Sequence, residues 1–274
     1  MFYNATIVLI IWLQKSMKLS IASWNINSIN IRLEHVIAVI NEFAIDILGI
    51  QETKCSDQNF PIDALHEAGF HVIFNGQKSY NGTAFIAKMP LSQPQHQLPA
   101  MPTDYQRRFL QVSYKNLSII NCYVPNGKSV GDEKYDYKLR WLDALESHLK
   151  QLLTLQKNIV LIGDFNIAPD DRDVYDAEAW RDKILCSTAE RKRLEAIKAL
   201  GLSDTFRLFN QEDSQFSWWD YRDAGYQKNK GHRIDLILSS DAMTPNCQSS
   251  IIATAPRGWD RPSDHAPVIA DFLC

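Results

Sequence analysis

The clearest alternation of hydrophobic and polar positions begins at Lys18. KLSIASWN reads as a strand by its alternation and content. Leu33, Val36, Ile37, Ile40 and Phe43 then recur at helical spacing through RLEHVIAVINEF. DILGIQE, FHVIFN, TAFIAK, RFLQVSY and LSIINCYV predict strands, the last two joined by a hairpin at Lys115-Asn116. Tyr135 to Leu153 predicts a long amphipathic helix. Ile159, Val160, Leu161 and Ile162 form an apolar run expected to be a strand buried on both faces and broken by Gly163. Ser187-x-x-Glu190 predicts a capping box opening a helix that ends at Gly201. RIDLILSS and APVIADF are the last strands. Helices alternate with strands and hairpins lie between, which predicts an α/β fold of large mixed sheets covered by helices.

Composition changes this picture little. The chain has 274 residues, 45% of them hydrophobic, and a formal charge of −3. That charge neither requires nor excludes nucleic acid, because a local basic patch decides the matter. Five cysteines without a CxxC pair exclude a disulfide framework and a thiolate zinc site. A reducing cytoplasm fits them, and Cys122 is expected in the core. No Pro/Gly-rich linker divides the chain, so residues 17–274 are expected to form one catalytic domain. Residues 1–16 stand apart. Their apolar run ATIVLIIWL is shorter than the roughly 20 residues a bilayer span needs, and Met17 is expected as the working start.

Candidate chemistry sits where strands end. Asn25 and Asn27 close the first strand, and Gln51 and Glu52 the second. Tyr123 and Asn126 end another. Asp164 and Asn166 end the buried one, Asp235 lies in RIDLIL, and Asp264-His265 precedes the final strand. Polar groups at the ends of neighbouring strands converge, and sites gather there. Carboxylates and amides with a single imidazole suit Mg²⁺ or Mn²⁺, an ion usually shared with a substrate phosphate. A phosphate ester is therefore the expected substrate.

WNIN, GIQETK, YQRRF, YVPNG, LIGDFNIAP, FSWWDYR, GHRIDLIL and PSDHAPV resemble the exonuclease III family of AP endonucleases, within the endonuclease/exonuclease/phosphatase superfamily. The resemblance runs from about Met17 to the last strand. It implies a four-layer α/β sandwich: two stacked mixed β-sheets flanked by helices. It also implies a Mg²⁺-dependent phosphodiesterase, with Mn²⁺ as a substitute and no organic cofactor, that acts on double-stranded DNA at abasic sites or 3′ ends as a monomer. By motif, Glu52 resembles the principal metal ligand, with Asn25 and Asp264 as companions. Asp164 and Asn166 resemble the pair facing the nucleophile and the phosphate beside the metal. His265 resembles the imidazole at the phosphate, Asp235 its orienting carboxylate, and Tyr123 the phenol that hydrogen-bonds the phosphate. The general base is left between Asp164 and the Asp235–His265 pair, and the metal count is left open.

Two features bear on the substrate. In the family, the first tryptophan of FSWW lines a pocket for a base-free sugar. That assigns Trp218 to the pocket and Trp219 to the core, with Trp259 a second pocket candidate. His232 stands where some relatives carry an apolar residue. Basic side chains also surround the motifs: Arg107, Arg108, Lys134, Lys138, Arg222, Arg257 and Arg261. Arg107 and Lys134 are the expected DNA contacts. The rival readings are a phospholipid or inositol-phosphate hydrolase of the same superfamily, and a DNA-binding scaffold without catalysis.

Overall fold

The computed structural model describes residues 18–273; the apolar lead at residues 1–16 lies outside the described residues. In chain order the strands are β1 Lys18–Asn25, β2 Ile47–Gln51, β3 His71–Asn75, β4 Thr83–Ala87, β5 Ser92–Gln95, β6 Phe109–Tyr114 and β7 Leu117–Tyr123. They continue with β8 Ile159–Asp164, β9 Leu202–Asp204, β10 Trp218–Trp219, β11 Gly231–His232, β12 Asp235–Ser240, β13 Cys247–Ile252 and β14 Val268–Leu273. The helices are α1 Ile29–Glu42, α2 Ile62–Glu67, α3 Glu133–Leu155, α4 Ala177–Trp180, α5 Thr188–Lys198 and α6 Thr205–Phe209.

Two six-stranded sheets form, ordered β13-β14-β1-β2-β4-β3 and β5-β6-β7-β8-β12-β9. Each holds one parallel pair, β1 with β2 and β7 with β8, and its other pairings are antiparallel. A parallel pair needs a crossover, which α1 supplies in the first sheet and α3 in the second. The side-chain period of two sorts each strand between layers. Ile21 and Ile47 of one sheet meet Ile119, Val160, Ile162 and Ile237 of the other in a buried central layer. Trp24, Leu48 and Ile50 face outward under α1, while Ile120, Leu161 and Leu238 face outward under α3 and α5. The expected helix–sheet–sheet–helix layering is present.

Gly163 does not break the buried strand. It lies inside β8, where an added Cβ would fall 2.0 Å from the Cys122 carbonyl oxygen. The missing side chain permits close pairing of β7 and β8. Five strands lacked a clear signal: β5, β9, β10, β11 and β13. β5 is an exposed edge containing Pro94, and β13 is an edge strand whose polar run Gln248-Ser249-Ser250 precedes Ile251 and Ile252.

Just below one rim, the central layer turns polar. Gln51 donates to Asn121 Oδ1 (2.7 Å) and Ser23 Oγ (3.1 Å), and Asn121 donates across the sheets to the carbonyls of Ile50 and Ala84 (3.0 Å each). The sheets approach closely here: a Cβ on Gly49 would lie 2.4 Å from Ile162 Cδ1. Asn121 is fully buried. Asn121→Leu keeps the branched shape of the side chain but removes three of these partnerships, so urea unfolding is expected to show a loss of about 3 kcal/mol.

Candidate active site

The rim is assembled by strand direction. β1 and β2 end there together, as do β7 and β8, because each pair is parallel. β12 and β14 run antiparallel to their neighbours and start at the same rim. Asp235 stands opposite Asp164 and Tyr123 beside it, both in register. Asn25, Tyr123, Asp164 and Asp235 share the parity of the central-layer residues Ile21, Ile119, Ile162 and Ile237, so they form its polar end.

The side chains interlock. Asn25 is fully buried, and its amide donates to Glu52 Oε1 (2.9 Å) and Asp164 Oδ2 (3.0 Å). Tyr123 donates to the same Glu52 oxygen at 2.7 Å. Lys54 holds the other Glu52 oxygen at 2.7 Å and also donates to Asn27 Oδ1 at 2.5 Å. Asn27 in turn donates to Asp264 Oδ1, and Trp218 Nε1 to Asp264 Oδ2, each at 3.0 Å. Asn27, Glu52 and Asn166 adopt left-handed φ values of 47°, 54° and 50°. For the two asparagines this is tolerated; for Glu52 it is costly and is held by its partners.

Asp235 grips His265 Nδ1 with both oxygens, at 2.9 and 3.1 Å. Ser217 Oγ donates to Asp235 at 2.6 Å and accepts the N–H groups of Ile234 and Asp235. The other ring nitrogen of His265 points toward Asp164 Oδ2, 3.9 Å away. Burial pulls the His265 pKa down, but the Asp235 and Asp164 carboxylates more than reverse it, so the imidazolium is favoured. Burial pushes Asp164 above the usual carboxylate range, against the pull of His265. Burial also pushes Glu52 up, yet Lys54, Asn25 and Tyr123 outweigh it and hold that carboxyl low. Glu52 thus stays ionised and His265 stays charged, while Asp164 is poised to take up a proton near neutrality.

The donor set fits a hard divalent cation. Glu52 and Asn27 together already hold a cation, the Lys54 ammonium, through two oxygens. Asp164, Asp235 and His265 also lie within 4.8 Å of one another, but Asp235 and His265 Nδ1 are spent on each other. Oxygen ligands around Glu52 suit Mg²⁺ or Mn²⁺ better than a protonated imidazole does. The amides assigned to the metal by motif are largely engaged. Asn25 Oδ1 accepts the Asn27 N–H, while Asn166 donates to the Val124 carbonyl and accepts from Asn126.

Among the other candidates, Trp219 is core and Trp218 is half-buried beside His265. Trp259 packs edge-on to His35 of α1 in the outer layer of the first sheet. Lys134 is exposed and lines a groove of about 520 Å³ with Tyr80, Arg108, Asn126 and Lys128. Arg107 is half-buried; its backbone ties to Gln77 and Gly82. Two basic side chains are removed from the DNA surface. Lys138 is fully buried. Arg257 is buried against Trp219, Tyr221 and Tyr226 and donates to the Ser263 carbonyl. Sequence reasoning missed Ser217, Lys54 and the Asp173–Arg233–Asp204 ion network, in which Arg233 is fully buried and bidentate on Asp173. FSWW and RID contain Ser217 and Arg233, but adjacency in sequence does not reveal the partner.

A carboxylate-bound imidazolium beside ionised and protonatable carboxylates, on one rim of a two-sheet sandwich, defines a phosphoester hydrolase. The chain belongs to the Endonuclease/Exonuclease/phosphatase family, which matches residues 22–265. It is 34% identical to exodeoxyribonuclease III of Haemophilus influenzae over 91% of this chain and 98% of that protein. It is 26% identical to the zebrafish (Danio rerio) DNA repair nuclease APEX1 over 93% and 82% of the two chains. Among solved structures, a 3′-5′ exonuclease from Neisseria meningitidis superposes with a TM-score of 0.91 at 39% identity, covering 93% and 100% of the two chains. An AP endonuclease from Archaeoglobus fulgidus superposes at 0.88 and 33% identity, covering 93% and 99%.

His232 lines a pocket of about 350 Å³ with Trp218, Trp180 and Tyr175, and all three rings pack on it. Both its ring nitrogens lack a partner among the described residues, and burial pushes its pKa down to about 4. The unfolded ring titrates near 6.5. Stability from this group is therefore complete above about pH 6.5 and is lost as pH falls toward about 4, by roughly 3 kcal/mol at most. In thermal melts, His232→Phe is expected to lose less stability than wild type on going from about pH 7 to about pH 5.

Proposed function

We infer that this protein is a divalent-metal-dependent DNA-repair nuclease that hydrolyses the phosphodiester 5′ to abasic sites, with 3′→5′ exonuclease and 3′-phosphodiesterase activity. The observation that carries the reading is the clamped pair Asp235–His265 facing Asp164 across the rim, with the ionised Glu52 joined to Asp164 through Asn25. Mg²⁺ is the ion the oxygen-rich donor set favours; Glu52, with Asp264 and the neighbouring amides, would hold it. When bound, it supplies Lewis-acid stabilisation of the phosphoryl oxygens.

This chain's residues do the rest. His265, kept charged by Asp235, hydrogen-bonds a non-bridging phosphate oxygen as negative charge grows there. Asp164 is buried and raised in pKa, so it accepts a proton from the attacking water near neutrality. Its Oδ1 is oriented by the Asn166 N–H at 2.9 Å and its Oδ2 by Asn25. Tyr123 has its pKa raised well above the ordinary value by burial and by Glu52, so it remains a neutral phenol whose one O–H, donated to Glu52, would turn to a substrate oxygen only on release from that carboxylate. Trp218 and the rings around His232, in a pocket also lined by Asp220, Arg222, Asp223 and Lys230, offer a wall for an extrahelical sugar, least costly to flip where the base is missing. The groove with Arg108, Lys128 and Lys134 lies beside Asn126 and suits the DNA backbone. Among the described residues no helix is long and apolar enough to cross a membrane.

The test is a labelled duplex with one internal abasic analogue, beside intact and 3′-blocked duplexes and an inositol phosphate, with Mg²⁺ or EDTA. A single Mg²⁺-dependent nick 5′ to the lesion is expected. Release of phosphate from the inositol substrate alone would overturn the DNA reading. Glu52→Ala is expected to abolish the Mg²⁺-dependent nick, and His265→Asn to lower kcat by about 10²–10³ without unfolding the protein. At subsaturating DNA the rate is expected to fall several-fold or more between about 50 and about 200 mM salt, as backbone contacts require.

A further inference from the structure

Beneath the rim lies a charged group that none of the proposed chemistry uses. Lys138 projects from α3 with its ammonium fully buried. It donates to the main-chain carbonyl of Asn166 at 2.7 Å and of Asn126 at 3.2 Å, and it pairs with Glu190 of α5. These carbonyls belong to two loops that follow the parallel strands β7 and β8. Their side chains meet above: Asn126 Nδ2 donates to Asn166 Oδ1 at 3.0 Å. One buried cation thus joins the loops from below, while their amides join on the reactive side.

The rest of the arrangement supports that reach. Gly127, at φ 91°, lies against the Lys138 stem, where a Cβ would come within 3.2 Å of Cδ. Glu190 is anchored by its own capping box, accepting the Ser187 N–H at 3.1 Å and Ser187 Oγ at 2.5 Å. Tyr135, one turn before Lys138 on α3, meets Ser187 Oγ at 2.6 Å. The chain of contacts runs from two outer-layer helices to the backbone of Asn166, whose N–H orients Asp164. A buried ion pair is a poor source of stability, because apolar side chains of similar volume often replace one at no cost. Its placement is better explained by what the ammonium holds.

We propose that Lys138 is a positioning residue of the nuclease: its ammonium fixes the Asn126 and Asn166 loops so that Asn166 orients Asp164 toward the attacking water. The proposal rests on the nuclease reading above. Lys138 touches neither substrate nor metal and acts through Asn166.

Lys138→Met/Glu190→Gln removes both charges together and keeps an acceptor for the α5 cap. It is compared with wild type and with Leu65→Ala, a core variant in the opposite outer layer that lowers stability without touching the rim. On the abasic duplex with Mg²⁺, the double variant is expected to melt within a few degrees of wild type. Its kcat is expected to fall about 10- to 100-fold with KM little changed, the size a misplaced reacting group produces. In an Asp164→Asn background the same substitutions are expected to lower kcat no further, because the carboxylate that the Asn166 N–H orients is already lost. A folded double variant with wild-type kcat, a change confined to KM, or full additivity with Asp164→Asn would each overturn the proposal. So would an equal kcat loss in Leu65→Ala. If the double variant does not fold, Lys138→Gln is judged by the same criteria. Wild-type protein that leaves every DNA substrate uncut would instead sink the nuclease reading, so the two failures are told apart.

Discussion

The rim depends on one constraint: a strand packed between sheets must keep alternate side chains apolar until it leaves the sandwich. Ile21, Ile119, Ile162 and Ile237 obey it in the central layer. Two or four residues further toward the rim, the same parity carries Asn25, Tyr123, Asp164 and Asp235. A slip of one residue in any of these strands would turn its reactive group into an outer layer under a helix. The parallel pairs make the register count twice, since each brings two chain ends to one place. The in-register match of Asp235 with Asp164 then sets how far His265 stands from the carboxylate it faces.

Crowded carboxylates need their charge managed, and the protein uses different means for each. Glu52 is held ionised by an ammonium, an amide and a phenol. Asp235 is matched to a histidine and a serine hydroxyl. Asp164 has mainly neutral donors and a more distant imidazolium, so burial dominates it. Glu52 and Asp164, acids of similar intrinsic strength, are thereby driven apart in behaviour, and a division between holding a cation and moving a proton needs such a separation.

Much of this was legible in the chain. Alternation marked β1, and continuous apolar runs marked β7 and β8, because those strands lie where burial is most demanding. The capping box at Ser187 is present as the spacing predicts. Strand ends pointed to Asn25, Glu52, Asp164 and Asp264-His265, since a polar residue after an apolar run has few structural uses. Partnership was the illegible part. Lys138 reads as one more surface lysine on an amphipathic helix, and only tertiary packing places it beneath Asn166. Ser217 is hidden for the same reason: its hydroxyl matters only because the residue before β10 lies against the start of β12 at Ile234 and Asp235. The edge strand β13 escaped because Gln248, Ser249 and Ser250 leave it without a regular hydrophobic alternation.

The layer of Ser23, Gln51 and Asn121 separates two environments that would otherwise conflict. Above it, groups must ionise, exchange protons and admit solvent. Below it, close packing of isoleucine and valine supplies cohesion between the sheets. A polar seam with its hydrogen bonds shared across both sheets insulates one from the other. The rim can then be rebuilt around a different phosphoester while the sandwich beneath it is left unaltered, and one scaffold can serve many chemistries because its moving parts and its foundation do not share atoms.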